Sequence, residues 1–480
     1  MAALCDLEAV TLRRLIGRKE ISPVELLDSC QERIESVNPA INAFVAMDFG
    51  AARTAAEAAE RAVLRGEDLG PLHGLPIGIK DLSETKGLRT TFGSLLFENH
   101  VPAADESVVA RIRAAGAVIL GKTNTPEFGA GANTRNRVYG ATGNPFDPAL
   151  TASGSSGGSA VAVATGMVPI ASGSDMGGSL RTPAGFCGVV GIRTTPGLVP
   201  SERRLLGWSP LSVDGPMART IGDAALLLSA MAGSDPIDPL AGPVDAAALA
   251  SPPEVDLSRL RVAFSEDLGF APIDDDIRAI YNTRCGLFAD LFGSASERDP
   301  DLGDADRIFA VLRAEGFLGN LHDAYKSAKD RLGPPVIENV EQALTFSYAD
   351  RAWAHLEHTK LYRRVEALFQ EIDLLICPVA SVSPFPHAEW APREMNGMAL
   401  KHYFHWIAIN YGLTLTGHPI VALPCGTDHK GMPFGLQIVG PRRGDRFLLG
   451  AAAALERAFA TRATLHRPIP DLAKLQGQAA

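Results

Sequence analysis

The sequence predicts an α/β protein, and two patterns carry that expectation. Short aliphatic runs bounded by Gly or Pro, such as Leu75–Ile79, Ala117–Leu120, Gly188–Arg193 and Ile420–Pro424, recur along the chain and are too brief for helices. Between them lie longer segments with apolar residues at helical spacing, so strands and helices alternate. The composition, 46% apolar and 21% charged over 480 residues, is that of an ordinary globular protein with a large core.

Taken in order, Leu7–Ile16 reads as an amphipathic helix. Ser22-Pro23-Val24-Glu25 is a capping box that opens a second helix to about Val37, with Val24, Leu27, Ile34 and Val37 on one face. Ala51–Leu64 is a third helix. After Pro71 the pattern shortens, and Leu75-Pro76-Ile77-Gly78-Ile79-Lys80-Asp81 is a strand that ends in charge. Glu106–Ala115 reads as a helix, Ala117–Leu120 as a strand, Gly121–Phe128 as a loop, Gly188–Arg193 as a strand and Ala224–Met231 as a helix. The Pro-, Asp- and Ala-rich stretch Ala232–Asp256 is a surface connection. Beyond it, Leu260–Phe264 is a strand, and Asp276–Phe292 and Glu338–Ile372 are long helical patterns. Leu374–Pro378, Ile420–Pro424 and Phe434–Val439 return to strand, and Arg446–Phe459 is the last helix.

Several function classes are set aside by charge and cysteine usage. The net charge is −10 and the basic residues are dispersed, as Arg13-Arg14, Arg203-Arg204 and Arg442-Arg443 show, which argues against binding nucleic acid or an anionic membrane. Six cysteines lie far apart without a C-x-x-C pair and read as reduced thiols of a cytoplasmic protein. Met1–Lys19 lacks the apolar run of a signal peptide, and no segment reaches the length of a membrane span. His355 with His358 and His402 with His405 have i, i+3 spacing but no evident third ligand, so neither a metal nor a cofactor is expected.

The chemistry concentrates in residues 151–182, T-A-S-G-S-S-G-G-S-A-V-A-V-A-T-G-M-V-P-I-A-S-G-S-D-M-G-G-S-L-R-T, where small hydroxyl and glycine residues flank one apolar run. Gly154, Gly157 and Gly158 open a tight turn, Ala160–Ala164 reads as a buried helix, and Ile170–Ser172 is a strand leading to a second turn with Asp175, Gly177, Gly178 and Ser179. A serine hydroxyl is a weak nucleophile, so acyl transfer demands a base and backbone N–H donors for the oxyanion. Met176-Gly177-Gly178-Ser179 can supply the donors, with Thr182-Pro183 as the cap and first position of a helix behind them. The competing structural reading is a glycine-rich loop packed close to a sheet.

The stretch resembles the amidase signature family, whose core reads approximately G-S-S-G-G-S, a run of small residues, then G-[ST]-D-x-G-G-S-[IL]-R-x-P. Gly154–Ser159 and Gly173–Pro183 fit that pattern residue by residue, apart from Ala152-Ser153 and Met176, where Pro-Gly and threonine are usual. The resemblance implies that Ser179 is the nucleophile, that Ser155 relays a proton after a cis Gly154–Ser155 bond, and that Lys80 is the base. To accept a proton at neutral pH, Lys80 must have its pKa lowered from about 10.4 at a cost near 4 kcal/mol, which burial without a paired carboxylate provides. Asp81 must then point away, and Lys86 is the weaker candidate for the base. The resemblance also implies one α/β domain over 1–480, a central twisted mixed sheet covered by helices on both faces. Residues 1–232 and 373–480 would form its core, and a variable helical segment of about 233–372 would face the substrate.

Other constellations compete. Gly154-Ser155-Ser156-Gly157-Gly158 also satisfies G-x-S-x-G, which would make Ser156 an elbow nucleophile, but the preceding Asn144–Pro148 is no strand. Ser83-Glu84-Thr85-Lys86 fits S-x-x-K in a turn. A glycine-rich turn before a helix can instead hold a phosphate in a non-catalytic ligand- or nucleotide-binding protein, although the phosphate-loop and dinucleotide fingerprints are missing. The expectation is therefore an amidase acting on a small-molecule carboxamide, aryl or alkyl, or a carbamate. Ser179, Ser155 and Lys80 would be catalytic, Met176 to Ser179 the oxyanion donors, and Ser156, Asp175 and Arg181 the supports. The alternative within the family is the glutamine-hydrolysing subunit of a tRNA-dependent amidotransferase. A homodimer is left open, and Phe270, Phe317, Tyr348, Trp353 and Trp406 are candidates for an apolar pocket.

Overall fold

The computed structural model describes residues 3–204 and 206–479. In chain order, two helices, α1 (Ala9–Gly17) and α2 (Pro23–Ile41), precede the first strand, β1 (Phe44–Met47), and α3 (Phe49–Arg65) follows it. The capping box of α2 is formed as expected: Ser22 Oγ accepts from the Val24 N–H at 3.0 Å, and Glu25 accepts from the Ser22 N–H at 2.8 Å. The chain then enters β2 (Pro76–Lys80), α4 (Ser107–Ala114), β3 (Val118–Thr123), α5 (Gly157–Ala164) and β4 (Ile170–Asp175). Next come α6 (Arg181–Cys187), β5 (Val190–Arg193), β6 (Val213–Ala218) and α7 (Ile221–Met231).

The second half supplies β7 (Arg261–Phe264), α8 (Asp275–Gly286) and β8 (Ser294–Glu297), then α9 (Ala305–Ala328), α10 (Pro334–Thr345) and α11 (Tyr348–Leu368). It closes with β9 (Leu374–Pro378), α12 (Ala408–Thr414), β10 (Ile420–Thr427), β11 (Pro433–Val439), α13 (Asp445–Ala460) and α14 (Leu472–Ala479). Among the described residues these strands form one eleven-stranded mixed sheet in the order β1-β3-β2-β4-β6-β5-β10-β11-β9-β7-β8. The β2–β3, β2–β4, β9–β7 and β7–β8 pairs are parallel and the others antiparallel. α5 and α6 pack on each other and on the middle strands, while α7 and α13 cover the opposite face. Both layers are apolar where they meet the sheet, which is why the aliphatic strands read as unbroken runs.

Three expectations about elements are corrected. The segment 233–372 is not wholly helical, because the expected strand β7 and the unexpected β8 both join the sheet, leaving α9, α10 and α11 as the cover. Glu338–Ile372 is two helices, broken at Phe346 because Ser347 and Asp350 form a second capping box. The sequence reading also missed β1, β6, β8, α9, α12 and α14, so Arg446–Phe459 is not the last helix. In β6, Pro216 sits inside a strand opposite Ser172, an unusual place for a residue without an N–H. No helix among the described residues is long and apolar enough to cross a membrane.

Candidate active site

β2 and β4 run parallel, and Lys80 ends β2 beside the serine-rich end of β4. The Lys80 side chain is 1% exposed. Its Nζ is hydrogen-bonded to Ser155 Oγ at 2.6 Å, Ser156 Oγ at 2.9 Å and Ser174 Oγ at 3.0 Å, while its backbone N–H donates to Ser172 Oγ at 3.1 Å. No carboxylate among the described residues forms an ion pair with it. Burial lowers its pKa to about 7, opposed by the charge of Asp214, helped by that of Arg203 and opposed again by Asp175. Asp81 points away, as the sequence argument required: its carboxylate accepts from Thr91 Oγ1 at 2.6 Å and from the Thr91 N–H at 3.2 Å. Lys86 is exposed.

The two serine-bearing turns are folded together by a bond from the Ser156 N–H to the Ser179 carbonyl at 3.2 Å and by the packing of α5 on α6. The Gly154–Ser155 peptide is cis. Gly158 allows the turn to press against its neighbours, since a Cβ there would lie 2.3 Å from the Asn124 nitrogen. Ser155, Ser174 and Ser179 all open onto one cavity of about 830 Å³, whereas Ser156 is fully buried beneath them. The elbow reading of Ser156 therefore lacks a route to a ligand.

Asp175 organises the second turn. Its Oδ1 accepts from the Gly178 N–H at 2.9 Å and its Oδ2 from the Leu180 N–H at 3.1 Å. The first of these bonds corrects the expected donor set: the Gly178 N–H is committed to Asp175, which leaves the amides of Met176, Gly177 and Ser179. Gly178 itself has φ +123°, and a Cβ on it would meet the Asn410 side chain at 2.7 Å. α6 begins at Arg181 rather than Pro183, and Thr182 Oγ1 donates to the Gly178 carbonyl at 3.1 Å instead of capping the helix.

Arg181 grips Asp175 through Nε at 3.0 Å and Nη2 at 2.9 Å, and reaches the Asn410 carbonyl at 2.8 Å and Gln437 Oε1 at 2.7 Å. Arg193, which the sequence reading placed only in a strand, donates to the Asp175 carbonyl at 2.7 Å and to Oδ1 at 3.2 Å. Burial alone would raise the pKa of Asp175, but the two guanidinium groups hold it well below the usual carboxylate range. The expected supports Ser156, Asp175 and Arg181 thus meet around the two turns. Ser172, Ser174, Arg193, Asn410 and Gln437 join them unannounced; only the S-G-S alternation in β4, which puts Ser172 and Ser174 on one face, was a usable signal.

Aromatic and aliphatic side chains line most of the cavity. Phe92, Phe97 and Phe128 form one side, and Phe309, Phe317 and Phe404 form another. Of the five aromatic residues singled out from the sequence, only Phe317 is there. Phe270 and Trp406 pack against other rings, Trp353 lies under Arg307, and Tyr348 is exposed. His358 bonds the Leu415 carbonyl at 2.8 Å, and His405 faces Asp306 at 3.5 Å.

A mixed α/β sheet thus holds a buried lysine against serine hydroxyls that line a mainly apolar cavity, a candidate base beside candidate nucleophiles. The family profile described as Amidase matches residues 25–449, and the chain belongs to that family. An acylamidase from Rhodococcus erythropolis is 33% identical over 94% of this chain and 95% of its own. A glutamyl-tRNA(Gln) amidotransferase subunit from Acidothermus cellulolyticus is 34% identical over 100% of both chains. The crystal structure of a bacterial aryl acylamidase of the amidase signature enzymes superimposes with a TM-score of 0.86 at 27% identity, covering 99% of this chain and 98% of that one. The chain is a hydrolase of carbon–nitrogen amide bonds.

Proposed function

We propose that the enzyme hydrolyses a small carboxamide with an apolar or aryl part through a Lys80–Ser155–Ser179 relay and an acyl-enzyme. Uncharged Lys80 takes the Ser155 proton as Ser155 takes that of Ser179, whose oxygen attacks the amide carbonyl. The amides of Met176, Gly177 and Ser179 are the candidate oxyanion donors, each worth about 3 kcal/mol in such sites. The proton returns through Ser155 to the leaving nitrogen, and water repeats the sequence on the ester.

The single observation that carries this reading is the 2.6 Å contact between the buried, carboxylate-free amine of Lys80 and the cavity-lining Ser155. The apolar preference rests on the cavity wall. Glutamine would bring an ammonium beside its carboxylate, yet several acidic side chains at the wall that could hold the ammonium are already engaged. Glu202 accepts from the Ser107 N–H at 2.5 Å, Arg204 is paired with Asp238, and Glu84 faces His100 at 2.9 Å. The amidotransferase-subunit reading keeps the support of full-length similarity to such subunits.

Labelling the intact protein with a fluorophosphonate and mapping the adduct tests the nucleophile, and a panel of anilides, primary amides, esters, carbamates and glutamine tests the substrate. The expected result is an adduct on Ser179 and turnover of an anilide or primary amide by the chain alone. An adduct on Ser156, or no adduct, would overturn the relay. Glutamine hydrolysis that begins only when partner proteins are added would favour the amidotransferase.

A further inference from the structure

α9 forms a long wall of the cavity and begins next to the oxyanion turn: a Cβ on Gly177 would lie 3.1 Å from Phe309 Cζ. From Phe309 the cavity-lining positions continue at Leu312, Arg313, Gly316 and Phe317, the i, i+3, i+4 pattern of one helix face. Arg313 is therefore one turn, about 6 Å along the axis, from the residue that touches the turn carrying Ser179.

Arg313 is 6% exposed, and what is exposed of it faces this cavity. One terminal nitrogen donates to Asn339 Oδ1 and the other to the Tyr403 hydroxyl. The guanidinium carbon lies 4.8 Å from the Phe317 ring centroid, 5.5 Å from that of Tyr403 and 4.3 Å from that of Phe404. Among the described residues no carboxylate forms an ion pair with Arg313; Glu338, which feels its charge, is exposed on α10. The other cavity arginines differ. Arg204 is paired with Asp238, and Arg203 is exposed.

A buried cation with neutral hydrogen-bond partners and aromatic faces, but no counter-ion, is a costly arrangement for folding alone. A guanidinium has five donors in a planar fork, and the two protein bonds leave several of them for a ligand. We propose that Arg313 is a specificity-determining residue that binds a carboxylate carried by the substrate amide, a few bonds from the scissile carbonyl. The aromatic rings around the guanidinium hold the apolar spacer. This inference rests on the amidase reading above and narrows its substrate to carboxylate-bearing amides.

Calorimetry with 3-phenylpropanoate and its neutral counterpart 3-phenylpropanamide separates the two claims, because it does not depend on turnover. The expected result is that the wild-type enzyme binds the carboxylate about tenfold or more tightly than the amide, as a charge-assisted pair requires. Arg313→Gln should abolish that ratio and Arg313→Lys should retain part of it, with melting curves confirming that each variant is folded. Equal affinity of the wild type for the two compounds, or a ratio that survives in Arg313→Gln, would overturn the proposal. If Arg313→Gln does not fold, the wild-type ratio together with Arg313→Lys decides. Turnover of neutral amides with no carboxylate preference would reject the subsite and leave the amidase reading intact. A carboxylate site in a protein that hydrolyses no amide would do the reverse.

Discussion

Two buried lysines stand on adjacent strands of the sheet, with Ile79 of β2 opposite Lys122 of β3 in register. Burial lowers the pKa of both, Lys80 to about 7 and Lys122 to about 8. Their neighbours make them different. Lys122 is held by the Ser83 carbonyl and, at 2.8 Å, by Thr85 Oγ1, and Asp81 and Glu106 oppose the loss of its charge. It has no link to the cavity. Lys80 meets only hydroxyls, and two of them, Ser155 and Ser174, open onto the cavity. Burial therefore frees an amine to act as a base, while the surrounding hydroxyls decide whether it has anything to deprotonate.

The sharpest way to break this comparison is to remove the relay. Ser179→Ala and Lys80→Ala should each lower kcat/KM by at least about 100-fold, Ser179→Ala with little change in melting temperature, and the double variant should lose no more than the worse single one. A residual rate well above one per cent in Ser179→Ala, measured on the same amide, would count against the assignment.

Asp175→Asn should come next in effect. It leaves Arg181 and Arg193 buried around a neutral amide, an expected loss of about 3–5 kcal/mol in a denaturant titration, together with lost activity as the Gly178 and Leu180 contacts loosen. Lys122→Met should separate the two lysines most cleanly. Stability should fall by about 1–3 kcal/mol because Ser83, Thr85 and the nearby carboxyl groups lose their partner, while kcat/KM stays within about threefold of wild type. A larger catalytic loss there would erase the distinction.

Per pH unit, the smallest effect is the pH dependence of stability. Lys80 binds its proton less readily folded than unfolded, so its penalty is complete below about pH 7 and fades as pH rises toward the ordinary lysine value. The stability of the wild type relative to Lys80→Ala should accordingly rise across that window by at most about 1.4 kcal/mol per pH unit. A flat difference would mean that the amine is charged in the folded protein.

The chemistry was legible because it is local in sequence. Ser155, Ser156, Asp175, Ser179 and Arg181 lie in one stretch, and Lys80 ends a recognisable strand. Arg193 and Gln437 were not legible, since only the pairing of distant strands brings them to Asp175 and Arg181. α9 escaped notice because Ile308, Phe309, Val311 and Leu312 are all buried, so its apolar residues cover more than one face, and Gly316 and Gly319 interrupt the pattern. β6 was hidden by Gly215-Pro216, which reads as a turn. Only one of the five expected pocket aromatics lines the cavity, because large rings are equally at home in a core, as Trp406 against Phe186 and Phe385 illustrates.

The central claim is that an uncharged Lys80 activates Ser179 through Ser155, and the rate of fluorophosphonate labelling of Ser179 as a function of pH tests it most directly. The account expects the rate to climb through about pH 7 to a plateau, and the climb to vanish in Lys80→Ala. A labelling rate independent of pH between about 5 and 9, or the same profile without the lysine, would contradict it.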